Sequence, residues 1–200
     1  MLDYSQHGEF PIFLDLAKPG RGGVVVEAGA WGREMSNCYN LLAEYGWRGL
    51  LVEGNPTRWQ IIEQDFAGLD YSLERAVISD KEEIATFYIG MISTLSPEIA
   101  KLHHSHSSIQ VRTTRLSGIL ENHKVPHDFD LLSLDIEGID VPVFNDLVET
   151  TEYRPKWIWI EASYGFNNKT LADAGLSISV QTHYELAAQT WANLLLKKTV

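Results

Sequence analysis

Short apolar runs alternate with longer segments in which apolar residues recur at helical spacing. The runs are rich in β-branched residues, which favours buried parallel strands. They predict strands at 24–28, 49–53, 73–78, 84–89, 111–114, 129–134 and 157–161. The segments between them predict helices at 38–45 with Gly46 at the end, from Asn55-Pro56 onward, after Pro97 in an otherwise irregular 91–108 stretch, at 116–120 and at 143–148.

This alternation of strand and helix predicts an α/β fold with a mostly parallel sheet and right-handed crossovers. Two further runs at 184–189 and 191–197 predict a closing hairpin, which would add an antiparallel edge to the sheet. The length of 200 residues suits a single domain spanning 1–200.

Net charge limits the class of partner, and cysteine content bears on the cellular compartment. The formal net charge of −11 disfavours a polyanion such as nucleic acid and leaves a small molecule, a sugar or a peptide as the expected partner. No apolar run reaches the length that a membrane span needs, and the first residues do not resemble a secretory signal. With Cys38 as its only cysteine, the chain cannot form an internal disulfide, so we expect a cytoplasmic protein.

A short motif at the end of the first predicted strand carries the cofactor hypothesis. Glu27-x-Gly29-x-x-Gly32 resembles the dinucleotide fingerprint, except that Glu27 replaces the first glycine. A carboxylate there would repel a diphosphate and would favour S-adenosylmethionine (SAM), which carries an ammonium and a sulfonium group. Alternatively, this is an ordinary turn in which Glu27 caps backbone amides.

Two further strand ends extend this hypothesis. Glu53 ends the second predicted strand, where a carboxylate can accept two hydrogen bonds from a ribose diol. Its alternative role is to cap the helix that begins near Pro56. Val77 ends the third strand and would lie against an adenine ring, with Asp80 or a backbone amide at the adenine edge unless Ser79-Asp80-Lys81 is a plain turn.

Several motifs together resemble the FkbM-type SAM-dependent methyltransferases over nearly the whole chain. They are Ser5-Gln6-x-Gly8-Glu9, Glu27-Ala28-Gly29-Ala30-x-Gly32, Gly46-Trp47-x-Gly49-Leu50, Val52-Glu53-x-Asn55-Pro56, Val111-Arg112-Thr113-Thr114-Arg115-Leu116, Asp130-Leu131-Leu132-Ser133-Leu134-Asp135-Ile136-Glu137-Gly138 and Thr190-Trp191-Ala192-Asn193. Trp31 departs from the family pattern, and we expect Pro142 to interrupt the helix after Glu137-Gly138.

The resemblance implies a Rossmann-like class I methyltransferase sandwich and methyl transfer to oxygen, often on sugars or natural products. It implies that Asp135 lies near the transferring methyl group. The residues expected to contact SAM are Glu27, Ala28, Gly29, Glu53, Gly54, Val77 and Asp135.

A hydroxyl acceptor must also lose its proton, to a general base or through metal polarisation. Asp135 and Glu137 are the base candidates, although Glu137 could instead cap the following helix. Glu161 could join Asp135 around a divalent cation, although paired carboxylates are often structural. We interpret His103-His104-x-His106 as a loop rather than a metal site, because no cysteine or carboxylate lies at ligand spacing.

Three points stay open at this level. Gln6 and Glu9 reach the cofactor if the first segment folds over the site, and otherwise belong to a surface helix. A non-catalytic methyltransferase-like binding module is an alternative function, since the fold alone does not fix activity. A nicotinamide-dependent oxidoreductase is a weaker alternative, because it predicts glycine in place of Glu27.

Overall fold

The structure, a computed structural model, describes residues 2–162 and 170–199. Its helices are α1 (Glu9–Ala17), α2 (Tyr39–Tyr45), α3 (Trp59–Asp65), α4 (Pro97–Leu102), α5 (Leu116–Asn122), α6 (Asp140–Thr150) and α7 (Ile178–His183). Its strands are β1 (Val24–Ala28), β2 (Arg48–Val52), β3 (Tyr71–Glu74), β4 (Ile84–Ile89), β5 (Ser107–Arg112), β6 (Leu131–Leu134), β7 (Trp157–Glu161), β8 (Tyr184–Gln189) and β9 (Asn193–Lys198).

The main sheet has the strand order β3-β2-β1-β6-β7-β9-β8 within the described residues. Strands β3, β2, β1, β6 and β7 run parallel, and the closing hairpin β8–β9 joins β7 antiparallel. The predicted α/β fold with its antiparallel C-terminal hairpin is therefore confirmed. The chain builds outward from β1 to β3, then crosses to β6 on the other side, which makes β1/β6 the switch point where such sheets bind ligands.

Strand register brings the predicted site residues to one edge. Ala28, the last residue of β1, is paired with Val52 on β2 and with Leu134 on β6. The next residues along these three strands are Gly29, Glu53 and Asp135, which consequently emerge side by side at the carboxyl edge.

Apolar side chains alternate between the two faces of the sheet and bury a layer of helices on each. One layer contains Val25, Leu51 and Leu131 with Phe13, Leu41 and Ile62 from α1, α2 and α3. The other contains Val26, Leu50 and Leu132 with Ile119 and Phe144 from α5 and α6. The two layers explain why the parallel strands read as continuous apolar runs.

The third strand lies earlier in the chain than predicted. Strand β3 ends at Glu74, and only an isolated parallel bridge to Thr114 involves Ile78. Val77 and Ile78 are apolar because they form the wall of a cavity beyond the sheet edge. Apolar character alone does not separate these two environments.

Strands β4 and β5 form a separate antiparallel two-stranded sheet. β5 begins at Ser107, inside the stretch predicted to be irregular, and ends at Arg112 rather than Thr114. The short helix after Pro97 is confirmed as α4. Helix α7 carries too little apolar periodicity in its six residues to have been predicted.

Two predictions about helix starts were wrong. Asn55 does not cap a helix directly, because α3 begins only at Trp59 and the Asn55 side chain instead accepts from the Thr57 amide at 2.9 Å. Pro142 does not interrupt α6. It lies in the first turn of that helix, where the missing amide hydrogen has no intrahelical partner to lose.

Candidate active site

A cavity of about 380 Å³ opens at the carboxyl edge of the parallel strands. Its lining residues are Gln6, Gly29, Trp31, Met35, Val52, Glu53, Gly54, Ala76, Val77, Ile78, Phe87, Met91, Ile92, Ser93, Leu95, Asp135, Ile136, Glu137 and Ile139. The structure thus brings together six of the residues predicted for the site: Gly29, Glu53, Gly54, Val77, Asp135 and Glu137. The predicted residues Glu27, Ala28 and Asp80 are not among the lining residues.

Glu53 lies in the cavity lining and also holds the turn that follows β2. Its side chain is buried and lines the cavity, while one carboxylate oxygen accepts from the Asn55 amide at 2.6 Å. Burial raises the pKa of Glu53 to about 7, although the Asn55 amide and the nearby Arg58 guanidinium both oppose the rise.

The Glu27 carboxylate holds the loop that leads into α2. It accepts from the Ser36 hydroxyl at 2.8 Å, the Asn37 amide at 2.7 Å and the Cys38 thiol at 2.7 Å. Burial raises the pKa of Glu27, while these donors act against the rise. This is the amide-capping arrangement that the sequence left open as an alternative to direct ligand contact.

Gly29 is required by the packing of two strand ends. Its φ of +87° is a conformation that L side chains rarely adopt, and a Cβ built there would lie 1.8 Å from the Asp135 carbonyl oxygen. The sequence suggested that this glycine admits a ligand. The structure shows that the missing side chain leaves room for the backbone of Asp135, just after β6. Asp135 consequently lies directly beside the end of β1.

The wall beyond β2 is formed by close apolar packing. A Cβ on Gly54 would lie 2.7 Å from Val77 Cγ2 and 3.2 Å from Phe87 Cζ. The glycine therefore lets these two apolar side chains approach the β2 end directly beside Glu53. An aromatic base against Val77 and Phe87 would have an apolar surface of the kind that ligand pockets commonly offer.

Three carboxylates meet at the opposite side of the cavity. Asp135, Glu137 and Glu161 each offer an oxygen, and these oxygens all lie within 4.8 Å of one another. Burial, followed by the charge of Glu161, raises the pKa of Asp135 well above its usual range. The same two causes raise the pKa of Glu137 to about 8. The cluster can therefore exchange a proton near neutral pH.

Asp140, which sequence reasoning missed, shapes the loop that carries Glu137. Its buried carboxylate accepts from the Ile136 amide at 2.7 Å and the Gly138 amide at 3.1 Å. Thr94 Oγ1 donates to the Glu137 carbonyl at 2.7 Å. These contacts hold Glu137 at a φ of +63°, which is unusual for a non-glycine residue and points to a functional constraint.

The segment before α1 crosses the carboxyl edge and separates the two residues considered there. Gln6 lines the cavity. Glu9 is buried elsewhere, where it accepts from the Thr190 hydroxyl at 3.1 Å and from the Asn193 side-chain Nδ2 at 2.9 Å. Glu9 thus anchors the segment to the β8–β9 turn.

Other candidates fall outside the cavity. His103, His104 and His106 lie between α4 and β5. They belong to no potential metal-binding group in the described part of the chain.

Trp31, which departs from the family pattern, lines the cavity. The Arg58 guanidinium stacks over its ring at 3.0 Å from the centroid.

Comparison with known proteins supports the family resemblance. The sequence matches the model of the methyltransferase FkbM domain over residues 20–185. The chain belongs to this family. No curated protein sequence matches it significantly.

The FkbM chain also has neighbours among solved structures. PH1948 from Pyrococcus horikoshii, assigned as an RNA methyltransferase, has a TM-score of 0.50 at 9% identity, covering 96% of this chain and 80% of its own. A mutant of MtNAS has a TM-score of 0.47 at 14% identity, covering 95% of this chain and 61% of its own. A Thermoplasma acidophilum protein, 1320, has a TM-score of 0.42 at 12% identity, covering 94% of this chain and 86% of its own. At such low identity the PH1948 match shows the fold alone.

Proposed function

We propose that this methyltransferase uses SAM to methylate a hydroxyl oxygen of a small-molecule acceptor. The observation that carries the proposal is that Asp135 and Glu137, which cluster with Glu161, line the same cavity as Glu53. One side of the cavity thus offers a carboxylate to a ribose, and the other offers proton acceptors to a hydroxyl.

The charge of the cavity supports SAM over a dinucleotide. The charged side chains among the described lining residues are Glu53, Asp135 and Glu137, all acidic. Such a lining favours sulfonium and ammonium groups and opposes a diphosphate. Glu53 would accept from the ribose hydroxyls, while Gly54, Val77 and Phe87 would receive the adenine. Glu27 and Ala28 would not contact SAM directly. They would instead position the site, Glu27 by holding the loop before α2 and Ala28 as the last residue of β1.

Bound SAM supplies a methyl group on a positively charged sulfur. The acceptor oxygen forms a bond to that methyl carbon as the methyl–sulfur bond breaks, and the bonding electron pair stays on sulfur. The hydroxyl proton passes to whichever of Glu137 and Asp135 is ionised. A base whose pKa is raised to about 8, as for Glu137, holds a transferred proton more firmly than an ordinary carboxylate does.

The three carboxylates also suit a divalent cation, which prefers oxygen ligands. A cation would lower the pKa of the acceptor hydroxyl and take over part of the role of the base. Chelation by EDTA decides between the two routes, because only the metal route loses its activity and recovers it with added Mg²⁺ or Mn²⁺.

The acidic chain makes an uncharged acceptor the preferred partner, rather than nucleic acid. In the described part of the chain, no helix combines the length and apolar character that crossing a bilayer requires. We place the protein in the cytoplasm, where the buried Cys38 stays a thiol and donates to Glu27.

Calorimetric titration with SAM, and with NADH for comparison, tests the cofactor. We expect saturable SAM binding that Glu53→Ala weakens by roughly 10- to 100-fold, because hydrogen bonds to a charged group are lost. Glu149→Ala, at an exposed position of α6, should leave the affinity unchanged. Folded protein that binds no SAM would contradict the proposal and favour a non-catalytic module.

A further inference from the structure

Away from its carboxylates, the cavity has a largely apolar lining. We call its lining residues Met35, Met91, Ile92, Leu95, Ile136 and Ile139 the outer wall. Met35 is 50% exposed and Met91 is 82% exposed, so the outer wall reaches the protein surface. It is thus open to a second molecule that enters from solvent.

Part of the outer wall is held against the loop that carries Glu137. Thr94, between Ile92 and Leu95, donates to the Glu137 carbonyl at 2.7 Å. A Cβ on Gly138 would lie 2.5 Å from Ile99 Cδ1, which shows how tightly α4 packs on the same loop. Ile136 and Ile139 flank Glu137 in sequence. A hydroxyl that reaches Glu137 must therefore bring its carbon skeleton against these apolar side chains.

Few polar groups are free to bind further hydroxyls. Ser93 Oγ is already engaged, accepting from Asn55 Nδ2 at 3.0 Å and donating to the Gly90 carbonyl at 3.2 Å. Gln6 and the indole N–H of Trp31 are the remaining uncharged polar groups among the side chains of the described lining residues. A sugar bound here would leave several hydroxyls without partners, and each buried, unpaired hydroxyl is costly.

We infer that the acceptor is an apolar alcohol or phenol that presents one hydroxyl to Asp135 and Glu137, and is not a sugar. This inference rests on the proposed function. The carboxylates disfavour an anionic body, and the apolar outer wall disfavours a polyhydroxylated one. The two methionines, flexible and exposed, suit acceptors of varied shape.

The test measures binding of 2-naphthol and of methyl α-glucoside to protein saturated with S-adenosylhomocysteine, the demethylated product. We expect saturable naphthol binding that the double variant Met35→Gln/Met91→Gln weakens by roughly tenfold, because apolar contact area is lost. The matched control is Ile178→Gln, at a position that is also 82% exposed but lies on α7, outside the cavity lining. It should change nothing.

Glucoside binding as tight as naphthol binding would overturn the inference, and so would naphthol binding that the double variant leaves intact. Absent naphthol binding would overturn it as well. The product titration separates this failure from that of the proposed function. Loss of S-adenosylhomocysteine binding contradicts the cofactor, while normal product binding with a preference for the sugar contradicts only the acceptor class.

Discussion

Adjacent strands β1 and β6 both run into an acidic residue at the carboxyl edge, yet the two carboxylates differ in their surroundings. Glu27 receives three donors, from Ser36, Asn37 and Cys38. No hydrogen bond within the described residues stabilises the Asp135 carboxylate, and the neighbouring charges that act on its pKa are all acidic. The Glu27 carboxylate is thus stabilised by hydrogen bonds within the fold. The Asp135 carboxylate would be stabilised by binding a proton or a positively charged group.

The difference separates a structural carboxylate from a reactive one. Buried charge is costly unless it is compensated, and Glu27 is compensated within its own loop. Asp135 is held in place by backbone contacts instead, through the close approach of Gly29 and its amide hydrogen bond to Ala28 at 3.0 Å. An acidic residue at the end of a strand is therefore not by itself evidence of a functional group. The number of hydrogen-bond donors around the carboxylate distinguishes a structural residue from a reactive one.

The largest expected effect is on turnover. Asp135→Asn and Glu137→Gln should each lower kcat by roughly 100- to 10,000-fold, since each removes a proton acceptor. SAM affinity, measured by calorimetry, should fall far less than kcat, because both substitutions keep the side-chain volume and leave Glu53 in place. Turnover is measured with an acceptor found among phenols, alcohols and sugars, and Glu149→Gln is the control. Unchanged kcat in both variants would remove these two residues as the base.

Gly29→Ala should have the next largest effect and should break the alignment of the two strand ends. The added methyl group meets the Asp135 carbonyl oxygen, so we expect a loss of stability of about 3 kcal/mol or more, together with weaker SAM binding. Chemical denaturation measures the change.

Gly68→Ala is the matched control for this substitution. Its φ of +85° is nearly the same as that of Gly29, but nothing lies within 4 Å of the added Cβ. It should therefore cost only about 1 kcal/mol, which is the contribution of backbone strain alone. Equal losses in the two variants would show that the contact with Asp135 is unimportant.

Glu27→Gln and Asp135→Asn should affect the stability of the protein in different directions. We expect Glu27→Gln to lower the free energy of unfolding by about 1–2 kcal/mol, because an amide cannot accept from all three donors. Asp135→Asn should leave stability unchanged or raise it, because it removes a crowded charge. Thermal unfolding of both variants at pH 7.5 checks this, and the reverse order would contradict the contrast.

The smallest effect expected is on the pH dependence of stability. Burial and neighbouring charge raise the pKa of Glu137 to about 8, and that of Asp140 to about 7. The folded protein therefore keeps protons that the unfolded chain releases at the ordinary pKa values of 4.5 for Glu137 and 3.8 for Asp140. Stability from this source is fully present at low pH and is lost as the pH rises through 7 and 8.

Glu137→Gln should flatten this decline and raise Tm at pH 8.5 by roughly 2–4 °C, with little change at pH 5. Scans across this range, with Glu149→Gln as control, measure the difference. A Tm difference that is constant with pH would show that Glu137 is already ionised at neutral pH.

Much of the fold followed from local pattern. Strands 24–28 and 157–161 and the closing hairpin were predicted closely, since their apolar runs lie in a fully buried sheet. The positions of Glu53 and Asp135 followed too, because the carboxyl ends of parallel strands share one edge. Helix α7 and the true end of β3 were missed, because short elements give little periodic signal.

The sequence by itself determined the sheet, its switch point and the acidic strand ends, because these depend on composition within a few consecutive residues. The tertiary structure alone decided which carboxylate is satisfied, since the donors to Glu27 come from the loop before α2 and the charges around Asp135 come from four other positions. It also decided that Asp140 shapes the Glu137 loop and that Met35 and Met91 meet at one cavity. Such contacts join residues distant in sequence, and no local pattern records them.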